Sequence, residues 1–524
     1  MIISIAYVAL CAAGLPFWTV QQHLGGKSIP FVFLSCFYVI ISLFTGITIP
    51  MDATTLAAGC LALWLSAGLT WTNTRQSVFE LFNMLSYLVL FSAARTVPME
   101  ITALMVFASG LVFAVPMAYR YIFKPYMHLF AKLFVLGNSN HLAALMMIQL
   151  FTGIWLAVNL SPWFTPFITI PAACLIMTKC RAAIGASVIG GIIILLMSGG
   201  VWSTQHLSAY SMIILSLAIG GGILYRLKKA GQLPEFTRNF YTRIILFYAA
   251  VMMIINRPLT GWGLNTYKMI HPEFDKKIVK TRFGKYIMSR IHNYEGVNMG
   301  HRVHNDHLEF MVETGIFGYA LFVWLFAGIP FAPVTFGLFI AVAIHALFFF
   351  PLREVHTGAP FWVMMGAAAP GVQTPFSLPL IASITIVVLT IPVMVKTLKV
   401  FLGQNFYGMA VHAHDDDIPL KQKHIRTALY YDPLNGMYMA DACLWHAKTD
   451  PVRAFHYAGL CLSHYDGDRV KAAIYDQFAR ALLGAGEVKI CHWVEDMALD
   501  LLPDFQPAHV IKNYLRGREA GGKP

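Results

Sequence analysis

Apolar residues in this chain gather in runs of about twenty, the length a helix needs to cross roughly 30 Å of hydrocarbon. The runs fall at 2–20, 31–50, 54–71, 78–96, 100–118, 141–159, 163–178, 182–198 and 208–225. A second set follows at 308–327, 333–351, 359–372 and 376–397, the third of these short and interrupted by Gly and Pro. Lipid offers the backbone no hydrogen-bond partner, so each run is expected to be a helix. The pattern predicts an all-α, polytopic transmembrane helical bundle of about twelve or thirteen spans. Its segments are an N-terminal bundle over 1–225, a large basic outer loop over 226–307, C-terminal spans over 308–397, and a soluble helical tail over 403–524.

Two segments break the apolar rhythm. Within 226–307, the stretch Phe236 to Asn256 reads as a helix lying at the membrane interface, with Arg238 and Arg243 on its early turns. A tilted span is the alternative, and it would flip everything after it. In the tail, Ala428-Leu429-Tyr430-Tyr431-Asp432-Pro433 recurs loosely near Leu462 and again near Ala498. The spacing suggests helix-hairpin repeats of tetratricopeptide type, against a plain small helical tail.

Composition agrees with the pattern. The 524 residues are 57% hydrophobic and only 12% charged, about half the charge of a soluble domain. The first run lacks the basic flank and small-residue cleavage site of a secretory signal and reads as a retained span. The formal net charge is +12. With no folded basic domain to carry it, the charge points to anionic lipid or a phosphate-bearing substrate rather than nucleic acid. Residues 226–307 concentrate it, with fourteen Lys or Arg against five acids. The cysteines show no metal-like spacing.

A cytoplasmic amino terminus and nine spans put the basic loop outside, together with Lys132, Asn138, Asn140 and Arg181. That conflicts with the usual cytoplasmic excess of Lys and Arg. Either the topology is inverted or the outer face is basic because its substrate is anionic; the second reading is preferred.

The candidate chemistry lies on that face. Asp306 and Glu309 have the form of a capping arrangement at the start of the run from Leu308, with Asp306 as cap. His304 and Asn305 then stand at the helix mouth, where an imidazole with pKa near 6.5 either takes up a proton or merely hydrogen-bonds a loop carbonyl. His307 is the rival base, expected to pack on the first helical turn; Arg257 and Arg302 are reserve cations. Arg181, in Thr178-Lys179-Cys180-Arg181, is either a snorkelling helix-end Arg or a phosphate ligand at membrane depth. Gly137-Asn138-Ser139-Asn140-His141 is a capping turn or part of a site. His412, His414, Asp415, Asp416 and Asp417 form a metal-like cluster better read as a solvated linker. No P-loop or dinucleotide fingerprint is present.

His304-Asn305, nine residues, Gly315, two residues and Gly318 resemble the pattern of the O-antigen ligase and polymerase superfamily. That superfamily includes lipopolysaccharide O-antigen ligases, Wzy-type polymerases and bacterial protein O-oligosaccharyltransferases. The Arg243 helix followed by Gly261-Trp262-Gly263-Leu264-Asn265-Thr266-Tyr267 is similar to the family's Arg-bearing helix and Gly-rich entry. Gly137 to His141 and Thr178 to Arg181 resemble its two short turns, with Ser139 in place of a usual Pro and Cys180 in place of a commoner Ser. His345-Ala346-Leu347-Phe348-Phe349-Phe350-Pro351-Leu352 resembles a later element of the polymerase and protein-transferase branches.

The resemblance implies a membrane glycosyltransferase. Such an enzyme moves a glycan from an undecaprenyl-diphosphate carrier to an acceptor hydroxyl on a protein Ser/Thr, a glycan repeat or a lipid A core, at the periplasmic face of the bacterial inner membrane. His304 would be the general base, Arg181 and Arg243 the diphosphate ligands, and Asn305 and Tyr267 orienting groups or structural ones. No cofactor or metal is expected. A transporter or flippase of polysaccharide or lipid-linked glycan is the alternative. It would need a polar path through the bundle, whereas the ionisable residues gather at one face.

Overall fold

The computed structural model describes residues 2–11, 28–45, 52–68, 75–123, 139–198, 236–290, 302–369 and 380–414. It also describes 417–519, apart from 434–435, 447–448, 465–474, 477, 481, 484–487 and 502–505. The expected span at 208–225 and the expected turn residue Asn138 lie outside them. The described residues form helices and turns with no strand, so the fold class is all-α.

One compact unit takes the described residues up to Met394 and a second those from Val395 onward. In the first unit the helices are α1 (Ile2–Ala9), α2 (Ser28–Thr45), α3 (Ala53–Ala67), α4 (Arg75–Ala94), α5 (Met99–Phe123), α6 (Ser139–Asn159), α7 (Thr165–Met177) and α8 (Arg181–Met197). They continue with α9 (Phe236–Asn256), α10 (Tyr267–Lys280), α11 (Arg282–Arg290), α12 (Asp306–Ala327), α13 (Pro333–Ala346) and α14 (Val355–Ala367). Among the described residues two helical stretches, Asn140–Asn159 and Asp306–Ala327, are both long and apolar enough to cross a membrane. Eight shorter apolar helices accompany them.

Helix α6 is buried along most of its length and packs against α5, α7, α8, α13 and α14. Its neighbours approach closely where side chains are small. A methyl group on Gly110 of α5 would fall on the Gln149 side chain of α6. Helices α8 and α13 cross at Gly190 and Gly337, each of which has the other's carbonyl within 2.8 Å of where a Cβ would stand. Small residues at crossings let backbones meet where water drives no association. Tyr87 and Phe91 of α4, Phe322 and Phe326 of α12, and Phe361 and Trp362 of α14 pack ring against ring.

The basic segment is helical over much of its length. Helix α9 holds the expected bounds, and its buried face meets α10 and the start of α12 through Leu246, Ala249, Met253, Phe274, Ile278 and Val312. Between α9 and α10, residues 258–263 run alongside a break in α12. Trp262 N donates to Val312 O (2.8 Å), Gly263 N to Glu313 O (2.8 Å) and Ile316 N to Pro258 O (2.7 Å). The break is at Gly315, where φ is +71° and ψ 177°. A Cβ there would lie 2.1 Å from Leu259 O, and one on Gly261 (φ +68°) would lie 2.5 Å from Glu313 O. Only glycine tolerates both the dihedral and the approach. The Trp64 indole on α3 donates to Thr314 O at 2.9 Å, satisfying a carbonyl beside the break.

The helix expected to end near 397 instead runs on to His412 as α15 (Leu380–His412). The tail then forms α16 (Ile418–Tyr431), α17 (Gly436–His446), α18 (Pro451–His464), α19 (Val488–Leu501) and α20 (Gln506–Glu519). These short helices bury Cys443, Ala454, Phe478, Leu482, Cys491 and Leu515 in a core of their own. Asp417, from the expected metal-like cluster, caps α16 by accepting from Leu420 N at 3.1 Å.

Candidate active site at the mouth of α12

The N-cap of α12 is Asn305, not Asp306 as the spacing suggested. The Asn305 side-chain carbonyl accepts from Leu308 N at 3.0 Å. Asp306 is one residue into the helix and turns the other way, accepting from Leu352 N at 2.9 Å. The sequence pattern could not reveal this competitor, since the Leu352 amide arrives from the turn between α13 and α14. Glu309 does not cap either. Its Oε2 accepts from Val303 N and its Oε1 from Arg302 Nη1, both at 2.9 Å. The loop 302–305 is thereby tied to the helix it introduces.

These ties hold His304 with φ +58°, a conformation uncommon for a residue with a side chain. Its Nδ1 is buried and makes no hydrogen bond. The ring lies against Phe350, with centroids 5.3 Å apart. Burial and the Arg243 guanidinium push the imidazole down to about 4, against the pull of Glu309, with His141 and Arg302 adding to the effect. His304 is therefore neutral at neutral pH and can accept a proton.

Arg243, half-buried on α9, acts electrostatically on both His304 and Cys180. The turn before α8 is thus joined to the same centre. Arg181, the first residue of α8, is exposed. The N-terminus of α8 adds the positive end of its dipole beside these cations. Tyr267 stands apart, buried in the α9–α10 packing with its hydroxyl donating to Leu246 O at 3.2 Å. His307 bonds to Ala343 O and the Tyr319 hydroxyl, each at 2.9 Å. Both of its ring nitrogens are thereby occupied.

Beneath the mouth lies a charged cluster that sequence reasoning missed. Arg353 is buried in the α13–α14 turn. Its Nη1 is 2.7 Å from Glu313, 3.5 Å from Glu309 and 3.7 Å from Glu80, and its Nε is 3.6 Å from Asp306. Burial opposes its charge, but Glu313 and Glu309 hold its pKa above the ordinary arginine value. Glu313 also accepts from Asn265 N at 2.8 Å, so the Gly-rich entry and the break in α12 share one carboxylate. The available signal was Arg353 in the short polar interruption between the apolar runs 333–351 and 359–372. The sequence also gave no hint that His141, Glu354 and His356 come together, with one ligand atom from each within 4.8 Å of the others.

Fold and site together define a class, a largely apolar helical protein with a histidine–arginine centre at the mouth of a membrane-length helix. Residues 166–323 match the family model described as O-antigen ligase, and the match supports the resemblance of that segment to the O-antigen ligase and polymerase superfamily. The match contains Arg181, Arg243 and His304. No curated protein matches the chain.

Proposed function

We propose that the protein is a glycosyltransferase of the bacterial inner membrane. It moves a glycan from an undecaprenyl-diphosphate carrier to an acceptor hydroxyl at the periplasmic face. The O-antigen ligase match supports the coarse reading, a membrane glycosyltransferase or ligase acting on lipid-linked glycans. The observation that carries the finer reading is His304, held at a left-handed backbone position, half-buried with its Nδ1 buried and unspent, and within the electrostatic reach of Arg243.

The leaving group arrives activated as a diphosphate. His304 takes the proton of the acceptor hydroxyl while that oxygen bonds to the anomeric carbon. The bond from that carbon to the diphosphate oxygen breaks, and the electron pair leaves with the diphosphate. Arg243 and Arg181 take up that charge through the forked hydrogen bonds a guanidinium offers to phosphate oxygens. A dianion seated at Arg243 also cancels the repulsion that weakens His304. The base is therefore stronger once the donor is bound, when a proton must be removed.

The acceptor remains a choice among protein Ser/Thr, glycan repeat and lipid A core. The helical tail favours a protein or polymer acceptor, because repeat-type helices commonly bind other proteins. The test is glycan transfer in cells lacking their own enzyme, comparing the native chain with His304→Ala at matched expression. Product from the native chain alone supports the reading, and the acceptor that gains sugar names the branch. Equal product from both removes His304 as base.

A further inference from the structure

We propose that His141, Glu354 and His356 form a binding site for one divalent transition-metal ion, of which Zn2+ is the best fit. The three residues come from two places distant in sequence. His141 is on the first turn of α6, Glu354 precedes α14 and His356 is on its first turn. Residues two apart on a helix point to opposite sides. Glu354 escapes that rule because its backbone is still extended (φ −86°, ψ 121°), which lets its carboxylate converge with the His356 ring. The two imidazoles meet edge to face with centroids 4.8 Å apart.

One ligand atom from each residue falls within 4.8 Å of the others. Ligands of tetrahedral zinc stand about 3.4 Å from one another, given metal–ligand distances near 2.0–2.1 Å. Small side-chain rotations close that gap. Two imidazoles and one carboxylate are the donor set of three-ligand zinc sites that keep a position open. The same set disfavours Mg2+ and Ca2+, which take oxygen ligands. The surroundings suit a fixed site. His356 is buried, and the rings of Phe349 and Phe350 flank His141 at 4.7 and 5.3 Å. Phe350 also touches the His304 ring. An ion at this place would thus add positive charge beside the centre described above, with its open position available to water or an anionic oxygen.

The site stands or falls separately from glycan transfer, since it is tested by binding alone. The full chain is purified in detergent, freed of any affinity tag and stripped with chelator. Co2+ is then titrated as a spectroscopic stand-in for Zn2+. The expected result is one equivalent bound with visible absorption, displaced by Zn2+ and unaffected by Mg2+. His141→Gln, Glu354→Gln and His356→Ala should each weaken Co2+ binding by more than about tenfold, while His307→Gln does not. His141→Gln and Glu354→Gln, which keep side-chain volume, carry the test if His356→Ala does not fold. Absence of Co2+ binding to the native chain would overturn the proposal. So would binding that survives in the variants that fold.

Discussion

At the scale of single residues, His304 and Arg243 form a coupled pair. Removing the imidazole should lower transfer by about 10²–10⁴-fold, the usual worth of a general base, measurable with lipid-linked donor in detergent. The pH profile is sharper evidence. A base depressed to about 4 in the free enzyme gives a kcat/KM that is flat across neutrality and falls only in strong acid. The acid limb of kcat, which reports the donor complex, should lie at higher pH because the bound diphosphate offsets Arg243. In Arg243→Gln the free-enzyme limb should itself move up, since a cation that depresses the imidazole is gone. His304, Asn305 and Arg243 were legible because they sit in short local patterns. Arg353 was not, since its meaning comes from Glu80 and Glu313 on other helices, and no local spacing records that meeting.

At the scale of elements, the break in α12 governs the site's shape. Gly315→Ala must strain the backbone, costing about 1–3 kcal/mol from the dihedral alone, and must also displace Leu259 O. A lowered melting temperature in detergent and reduced transfer are expected together. Gly191→Ala, inside α8 and meeting nothing within 4 Å, should leave transfer unchanged and the melting temperature no lower, since alanine is the better helix former. The glycines at 261, 263, 315 and 318 were visible in the sequence as a pattern. Their physical reason was not: for 261, 263 and 315 it is the pairing of 258–263 with 312–316 at the break within α12, and for Gly318 it is the close approach of the Trp64 indole from α3. The bounds of α9 were readable from its apolar run between polar flanks. The Asn305 cap was misread because Asp306 is an equally good capping type, and the choice was made by a distant amide at Leu352.

At the scale of the whole molecule, apolar helices surround one buried ionic knot, and a small polar tail carries its own core. Arg353→Met leaves four carboxyls around an absent cation and should cost about 3–5 kcal/mol, seen as a large drop in melting temperature. Arg453→Met, in the exposed pair with Asp450, should change nothing measurable. In the tail, burial and Asp476 push Glu495 up to about 8, against Arg480. Its folded pKa lies above the unfolded value, so its contribution is full below the ordinary glutamate range and is lost as pH rises through 8. The tail's thermal transition in the full chain should therefore weaken between pH 5 and 8, and Glu495→Gln should flatten that slope. All-helical character and the polar tail followed from composition and run length alone. The count of crossings did not, since short apolar helices such as α8 and α13 satisfy the same hydropathy whether they span or pack inside.

The left-handed backbone at His304 bears on chemical rescue. Replacement by alanine keeps the strain and loses the base, whereas glycine accepts a φ of +58° without penalty and leaves a ring-sized vacancy beside Phe350. His304→Gly should consequently be the better-folded of the two inactive variants. It should also be the one whose turnover returns when free imidazole is added to the buffer.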